Sequence, residues 1–362
     1  MRSSPSRLVT RFLHAEAAGG VVLLVAAAVA LVWANSPWDH GYHSVFNHDV
    51  QHWVNEGLMT VFFFVVGLEI KRELVAGELR EWRTAAVPAV AAVGGMVVPA
   101  LFYVVVARDR GWGIPMATDI AFAVGLMALL GRRVPGSLKL FLLTLAVVDD
   151  IGAILVIALF YSAGVKPLFL LGAAAAVALV FVVRNRPVLA LVAGVLVWAA
   201  LYNSGVHATL AGVVVGLMLP QATVEGLEDR LHPWSAFLVV PLFALANAGV
   251  RLDSESIGNA VESPIAIGVV LGLVVGKPVG IALASWAAVR SGLGTLPRGA
   301  SWPQLIATGA VAGVGFTVSL FVTGLAFPDP AVAATAIVGV LAASALSAVL
   351  GIAGLTFWGT KT

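Results

Sequence analysis

An apolar run from about Ser137 to Ser162 contains two adjacent carboxylates, Asp149 and Asp150, near its middle. At a rise of about 1.5 Å per residue, a helix of this length crosses the hydrocarbon core of a bilayer, and the pair lies near the midplane. A charge at that depth costs at least about 2.5 kcal/mol, and a second like charge beside it adds to the cost. A pair this unfavourable predicts a functional site inside the membrane.

The composition of the chain indicates the same class of protein. It is 60% hydrophobic and 11% charged over 362 residues, whereas soluble domains carry about 25% charged residues. We therefore expect an all-α polytopic membrane protein in which residues 1–362 form one integral membrane domain in the lipid bilayer. The net charge of +2 gives no reason to expect nucleic-acid binding, and a chain without cysteine cannot form disulfides or cysteine-held zinc sites.

About twelve apolar spans can be placed along the chain. We expect the first span to be a retained helix rather than a signal peptide, and a polar external loop to follow it. The approximate limits of the spans are 12–33, 55–76, 85–107, 114–130, 137–162, 167–183, 187–202, 205–219, 233–250, 264–289, 303–325 and 330–358. The external loop, 35–54, contains His48-Asp49-Val50-Gln51-His52. This resembles the zinc motif H-E-x-x-H, but aspartate replaces the catalytic glutamate, which favours an ordinary polar loop.

The basic residues predict the orientation. Twelve spans place both termini on one side of the membrane. That side carries 16 of the 21 Lys and Arg residues, the other side carries four, and Lys277 lies within a span. Because cytoplasmic loops are enriched in Lys and Arg, we expect both termini, including residues 1–11, to be cytoplasmic.

Two spans have sequences typical of interrupted helices. The fourth opens with Pro115 and contains Thr118-Asp119, and the eleventh has Gly313 and Gly315 at its centre. Interrupted spans at corresponding positions of two halves are typical of transporters with inverted repeats. We therefore expect spans 3–5 (about 85–162) and 10–12 (about 264–358) to be such repeats, with their interrupted helices crossing near the midplane.

Lys277 is an isolated cation near the middle of the tenth span. A lone ammonium at that depth must meet a carboxylate, carbonyl dipoles or water. Adjacent residues of a helix point about 100° apart, so one member of the Asp149–Asp150 pair can face Lys277 while the other faces a water-filled cavity. At the helix breaks, Asp119 would neutralise positive half-helix ends and Lys277 negative ones. A purely structural ion pair remains the alternative for Lys277.

Several motifs together resemble the NhaA-type bacterial Na+/H+ antiporters from about residue 10 to 355. These motifs are Val66-Gly-Leu-Glu-Ile-Lys-Arg-Glu-Leu74, Thr118-Asp-Ile-Ala-Phe122, Val148-Asp-Asp-Ile-Gly-Ala153, Gly205-Val-His-Ala-Thr-Leu-Ala-Gly212, Leu231-His-Pro-Trp234, Pro241-Leu-Phe-Ala-Leu-Ala-Asn-Ala-Gly249 and Gly276-Lys-Pro278. The resemblance implies a twelve-helix, electrogenic inner-membrane antiporter, usually a homodimer, that expels Na+ or Li+ in exchange for H+ without a cofactor.

The resemblance also implies roles for individual residues. Asp150 corresponds to the principal cation ligand, with Asp149 and Thr118 contributing to the Na+ site. Asp149 corresponds to the partner of Lys277. Thr118 and Asp119 match the unwound stretch of the fourth helix.

A cytoplasmic pH-sensing surface is a further implication of the resemblance. The candidate residues for this surface are Glu69, Arg72, Glu73, Glu228, His232 and His207, although a structural role is favoured for His207. The chain departs from the family pattern at Glu225 and Asp229, where a basic residue and a histidine are expected. We therefore expect an activating pH that is higher than in relatives with the basic pattern.

Two other functions are compatible with membrane-embedded carboxylates. A sodium-coupled symporter of an organic anion would need a roomy polar pocket, and no additional Arg or Asn/Gln cluster within the spans indicates one. An intramembrane aspartyl protease would need its two aspartates on separate helices, whereas Asp149 and Asp150 are adjacent. The sequence favours an ion antiporter, which is not an enzyme.

Overall fold

The computed structural model describes residues 5–162 and 164–359, with the backbone alone for residues 5–17 and Arg132. Within this part of the chain the regular structure is helical, which confirms the predicted all-α class. The α-helices, in chain order, are α1 (Pro5–Ala34), α2 (Asp39–Val45), α3 (His48–Trp53), α4 (Met59–Val75), α5 (Trp82–Val106), α6 (Ile120–Leu129), α7 (Gly136–Phe160), α8 (Pro167–Val183), α9 (Pro187–Ser204), α10 (Leu210–Met218), α11 (Gln221–Trp234), α12 (Val240–Asn247), α13 (Ser254–Glu262), α14 (Pro264–Leu271), α15 (Lys277–Arg290), α16 (Trp302–Ala312), α17 (Phe316–Ala326) and α18 (Pro330–Phe357).

The long apolar helices are compatible with a polytopic membrane protein. In the described ranges, six helical spans are long and apolar enough to cross a membrane, and the pair α16 and α17, bent by 48° at its break, makes a seventh. The first predicted span lies in α1, and the other remaining predicted spans correspond to shorter helices, such as α8 with 17 residues and α10 with nine. Twelve crossings therefore stay a prediction.

In the part of the chain that the structure describes, three π-helical turns join helices into longer continuous segments. They lie at Val54–Leu58 before α4, at Ser235–Val239 between α11 and α12, and at Gly272–Gly276 between α14 and α15. The segment α11 to α12 is helical through Pro233, where the sequence predicts the end of a loop. The predicted external loop 35–54 likewise contains α2 and α3.

The connections rich in arginine meet at one end of the bundle, which we call the basic end. The Ser137 hydroxyl, at the start of α7, donates to the Arg298 carbonyl at 2.6 Å. Gly359, after α18, lies against Arg133, and Gly294 lies against Arg83 and Val87. Three separate connections and the end of α18 are thus neighbours.

The other connections meet at what we call the opposite end. Arg251 forms an ion pair with Asp39 at 2.7 Å. The Lys166 amide donates to the Ser204 carbonyl at 2.8 Å, which joins the connection before α8 to the end of α9. The connections that carry Asp39 and Arg251, and those that carry Lys166 and Ser204, are thus paired at this end.

The two predicted repeats run in opposite directions. Helix α5 begins at the basic end, whereas the segment α14–α15 begins at the opposite end and returns to the basic end. The two segments pack at glycines: a Cβ on Gly280 would collide with the Gly94 carbonyl oxygen, and a Cβ on Gly276 would lie 2.8 Å from the Pro99 Cα. Backbones in membrane bundles approach this closely only where small residues face each other.

Among the described residues, three groups of buried apolar side chains hold the bundle together, the smallest of which joins α4 to α7 through Val66, Ile70 and Val147. The largest group joins α5, α7, α16 and α18 with their neighbours, and the second joins α8, α9 and α10 to one face of α4. The carboxylates of α7 lie where α4, α5 and the interrupted helices converge.

Candidate functional site

The fourth and eleventh spans are both interrupted, and their breaks contact each other. Residues 117–119 are not helical and precede α6, and Gly313–Gly315 separate α16 from α17. The Asp119 amide donates to the Val314 carbonyl at 2.7 Å, and the Thr118 hydroxyl donates to the Ala312 carbonyl at 3.0 Å. These bonds satisfy backbone carbonyls that the broken helix α16 leaves without intrahelical donors.

The Asp119 carboxylate lies between the amino ends of two helices. Its Oδ1 accepts from the Phe122 amide of α6 at 3.0 Å. Its Oδ2 accepts from the Thr317 amide of α17 at 3.1 Å and from the Thr317 hydroxyl at 2.6 Å. One carboxylate thus meets the positive ends of both α6 and α17, the placement that the sequence predicts from the helix dipoles.

Lys277 lies at the junction between the π-helical turn Gly272–Gly276 and α15, with 0% of its side chain exposed. Its Nζ donates to Asp149 Oδ2 at 2.9 Å and to the Met116 carbonyl. Met116 ends the 3₁₀ helix Arg110–Met116, so the ammonium meets the negative end of a half-helix as well as a carboxylate.

The adjacent aspartates of α7 face different surroundings. Asp149 is 2% exposed, and its second oxygen, Oδ1, has no hydrogen-bond partner among the described residues. Asp150 is 8% exposed and lines a cavity of about 60 Å³. One carboxylate is therefore committed to Lys277, and the other is open to a space that holds a few water molecules.

This cavity brings together five of the predicted site residues with two further polar side chains. Its polar lining comes from α4, α7, the break before α6, α17, α11 and the π-helical turn after α11. It consists of Glu69, Thr118, Asp119, Asp150, His232, Ser235 and Thr317. Three of the four candidate ion ligands and two of the pH-sensing candidates thus share one space, whereas Asp149 lies beside Lys277. It is far smaller than the pockets of about 300 Å³ or more that hold organic ligands.

The remaining pH-sensing candidates form a cluster between α4 and α11 next to the cavity. Arg72 bonds Glu228 at 2.5 Å and Glu73 at 3.1 Å, and His232 lies 3.8 Å from Glu69. Helix α11 is a polar connection outside the spans. Burial raises the pKa of Glu228, the exposed Asp229 raises it further, and Arg72 and His232 oppose the shift.

His207 lies at the opposite end, apart from that cluster. Its Nε2 is 2.9 Å from the Tyr161 carbonyl oxygen, and its Nδ1 is 4.0 Å from Glu56 Oε1. The structure therefore does not bring His207 together with the other five pH-sensing candidates.

Sequence reasoning missed two polar groups at the site. Thr317 binds Asp119 through both its amide and its hydroxyl, and the Met116 carbonyl accepts from Lys277. The position of Thr317, directly after the glycine break and equivalent to that of Thr118-Asp119 in the other repeat, is a signal that could have identified it. The loop motif His48–His52 finds no third ligand, since no metal-binding group of three or more His, Cys, Asp or Glu occurs among the described residues.

Interrupted helices whose breaks meet beside buried carboxylates are typical of membrane transporters. The chain belongs to the Na+/H+ antiporter 1 family, whose sequence profile matches residues 10–355. It is 48% identical over 374 residues to the Na(+)/H(+) antiporter NhaA 2 of Pseudomonas syringae pv. syringae (strain B728a), covering 96% of this chain and 95% of that protein. It is 45% identical over 367 residues to the Na(+)/H(+) antiporter NhaA of Vibrio vulnificus (strain YJ016), covering 95% of this chain and 94% of that protein.

Membership of this family defines the broad function. The chain is a Na+/H+ antiporter, a multi-pass bacterial membrane protein that acts as a transporter and not as an enzyme. This excludes the protease alternative. Proteins of this family need no cofactor, because the ions are the transported substrates.

Proposed function

We propose that this antiporter exchanges Na+ or Li+ for H+ electrogenically at Asp150, with Asp149 and Thr118 completing the cation site. The observation that carries the proposal is the cavity in which Asp150 meets Thr118, Asp119 and Thr317 between the two helix breaks. Hard cations prefer carboxylate, hydroxyl, carbonyl and water oxygens, and the cavity offers carboxylates and hydroxyls and has room for water. The small volume favours an ion over the organic anion of a symporter.

Competition for one carboxylate explains exchange. A carboxylate oxygen of Asp150 binds either a proton or a cation, and each neutralises a charge that is costly within the membrane. A site loaded with either ion can therefore reorient between the two sides, whereas an empty, ionised site cannot. The Asp149–Lys277 pair, in direct contact at 2.9 Å, gives a second group that can exchange a proton when the cation arrives.

Regulation by pH and orientation complete the proposal. We assign the pH response to Glu69, Arg72, Glu73, Glu228 and His232, because these groups lie at the mouth of the cavity or contact each other beside it. The basic end is then cytoplasmic, as its arginines predict, and the protein lies in the inner membrane as a homodimer with both termini in the cytoplasm.

A vesicle assay tests the proposed site. Purified protein is reconstituted with an internal pH dye, and Na+, Li+, K+ or no cation is added externally, with the membrane potential either free or clamped. We expect Na+- and Li+-driven proton movement that depends on the potential, and loss of this movement to background in Asp150→Asn and Asp149→Asn. Asp49→Asn makes the same chemical change at a 95% exposed side chain and should retain full exchange. Normal exchange in Asp150→Asn would contradict the assignment.

A further inference from the structure

A second cavity lies on the outer surface of the bundle between α4, α9 and α10. Its volume is about 370 Å³, against about 60 Å³ for the cavity at Asp150. Its walls include Val61 of α4, Leu191 and Val195 of α9, and Val215 of α10. Val61, Leu191 and Val195 are still 37%, 38% and 63% exposed. The cavity is therefore a groove that opens sideways, toward the hydrocarbon of the bilayer.

The hydrogen-bonding groups along this groove are used within the protein. The Thr60 hydroxyl donates to the Glu56 carbonyl at 2.5 Å, and the Trp198 ring nitrogen donates to the same carbonyl at 3.2 Å. Both donors belong to residues that line the groove. With these donors satisfied, the groove presents an apolar surface, which suits a hydrocarbon chain rather than a polar ligand.

Stacked aromatic rings mark one mouth of the groove. The rings of Trp53 and Trp198 stack with centroids 6.3 Å apart, and those of Trp198 and Tyr202 with centroids 5.3 Å apart. His52 extends the stack through a 2.9 Å hydrogen bond to the Tyr202 hydroxyl. Trp and Tyr concentrate at the level of the lipid headgroups, so this mouth lies at the membrane surface on the opposite end.

The length of the groove matches one leaflet. Its wall from Trp53, the last residue of α3, to Phe64 of α4 is continuously helical. This is a rise of roughly 16 Å, and half of the hydrocarbon core is about 15 Å. At the mouth, α3 contributes Asp49, and Lys166 lies beside Ser204 at the end of α9, so charges of both signs are present, which suits a zwitterionic headgroup. We propose that the groove binds one acyl chain of a zwitterionic phospholipid, with the headgroup beside the Trp53–Trp198–Tyr202 stack.

Native mass spectrometry of the purified protein tests this binding site. The detergent-solubilised, delipidated protein is titrated with phosphatidylethanolamine, and bound lipids are counted for wild type and two tryptophan variants. Val195→Trp fills the groove, whereas Leu196→Trp places the same ring at a neighbouring, 51% exposed position of α9 that does not line it. We expect one saturable phospholipid in wild type and Leu196→Trp, and at least a tenfold weaker affinity in Val195→Trp, which is about 1.4 kcal/mol.

Other outcomes would overturn the proposal. Equal lipid binding in all three proteins would show only non-specific annular lipid. A preference for phosphatidylglycerol over phosphatidylethanolamine would contradict the zwitterionic headgroup. Loss of a dimer in Val195→Trp, with lipid retained, would identify the groove as an interface between copies of this chain. If Val195→Trp does not fold, Val61→Trp fills the same groove from α4 and is held to the same expectation.

Discussion

At the scale of single residues, Lys277 is the charge on which the stability of the site depends most. Its side chain is 0% exposed and satisfies both Asp149 and the Met116 carbonyl. Removing one member of a buried ion pair leaves the other charged and uncompensated, at a cost of about 3–5 kcal/mol. We therefore expect Lys277→Ala to lower the free energy of unfolding by about that amount, measured by thermal unfolding in detergent, while the exposed Lys166→Ala should change it little.

A double variant separates the ion pair from other effects of the substitution. If the cost comes from the unpaired Asp149 carboxylate, Lys277→Ala combined with Asp149→Ala should be less destabilised than the sum of the two single variants. Additive losses would contradict the pair. Transport measured on the same proteins decides whether Lys277 also carries a proton. An unchanged melting point with lost electrogenicity in Lys277→Ala would favour a proton-carrying role. Partial activity with an alkaline shift in Lys277→Arg would agree with that role, since guanidinium does not release its proton.

At the scale of elements, the crossing of α5 and α15 depends on glycines that face each other. A Cβ on Gly280 would collide with the Gly94 carbonyl oxygen and lie 2.9 Å from the Val98 Cβ. Because backbone atoms cannot move aside as a flexible side chain can, we expect Gly280→Ala to cost about 1–3 kcal/mol. Gly172→Ala in α8, where a Cβ meets nothing within 4 Å, should be neutral or slightly stabilising. Equal melting temperatures for the two variants would contradict this account of the crossing.

The bounds of most helices could be predicted from apolar runs and prolines. The run predicted at 137–162 is α7, Gly136–Phe160, and α8 and α9 begin at Pro167 and Pro187, as expected where proline is favoured in the first turn. The π-helical turn Ser235–Val239 could not be predicted in this way. This turn lies between Pro233 and Pro241, and each proline, which has no N–H, removes one helical hydrogen bond. From the sequence, Pro233 predicted the start of a span, whereas in the structure the helix continues through it.

At the scale of the whole molecule, the sequence predicts the depth of the charges but not all of their partners. Asp119, Asp149 and Lys277 stand out because charges are costly within apolar spans. The contact between Asp119 and Thr317 joins residues 198 positions apart, and Thr317, which is uncharged, has no such signal of its own. The separation of His207 from the other pH-sensing candidates likewise depends on the packing of helices, which composition does not encode.

The response of the whole molecule to pH should follow the ionisation of Glu228. Burial, and then the charge of Asp229, raise its pKa above the ordinary value. Folding therefore favours the protonated form of Glu228. The stability that this preference contributes is fully present below the unfolded-state pKa and is lost as the pH rises through the higher folded-state pKa. The same deprotonation changes the charge between α11 and α4, where Glu228 contacts Arg72 beside the cavity, and we expect this change to link transport to pH.

Replacing Asp229 by histidine tests this link. Removing the negative charge lowers the pKa of Glu228, so we expect the pH–activity curve of Asp229→His to move toward acid. The shift should be larger at about 10 mM salt than at about 150 mM, since the Debye length is about 30 Å in the first and about 8 Å in the second. Glu262→His makes a similar charge change on the exposed end of α13 and should leave the curve in place. Because the effect acts through surface electrostatics and not through the ion ligands, the apparent Na+ affinity at saturating pH should be unchanged in both variants. A curve for Asp229→His that coincides with wild type at both salt concentrations would show that α11 does not set the pH response.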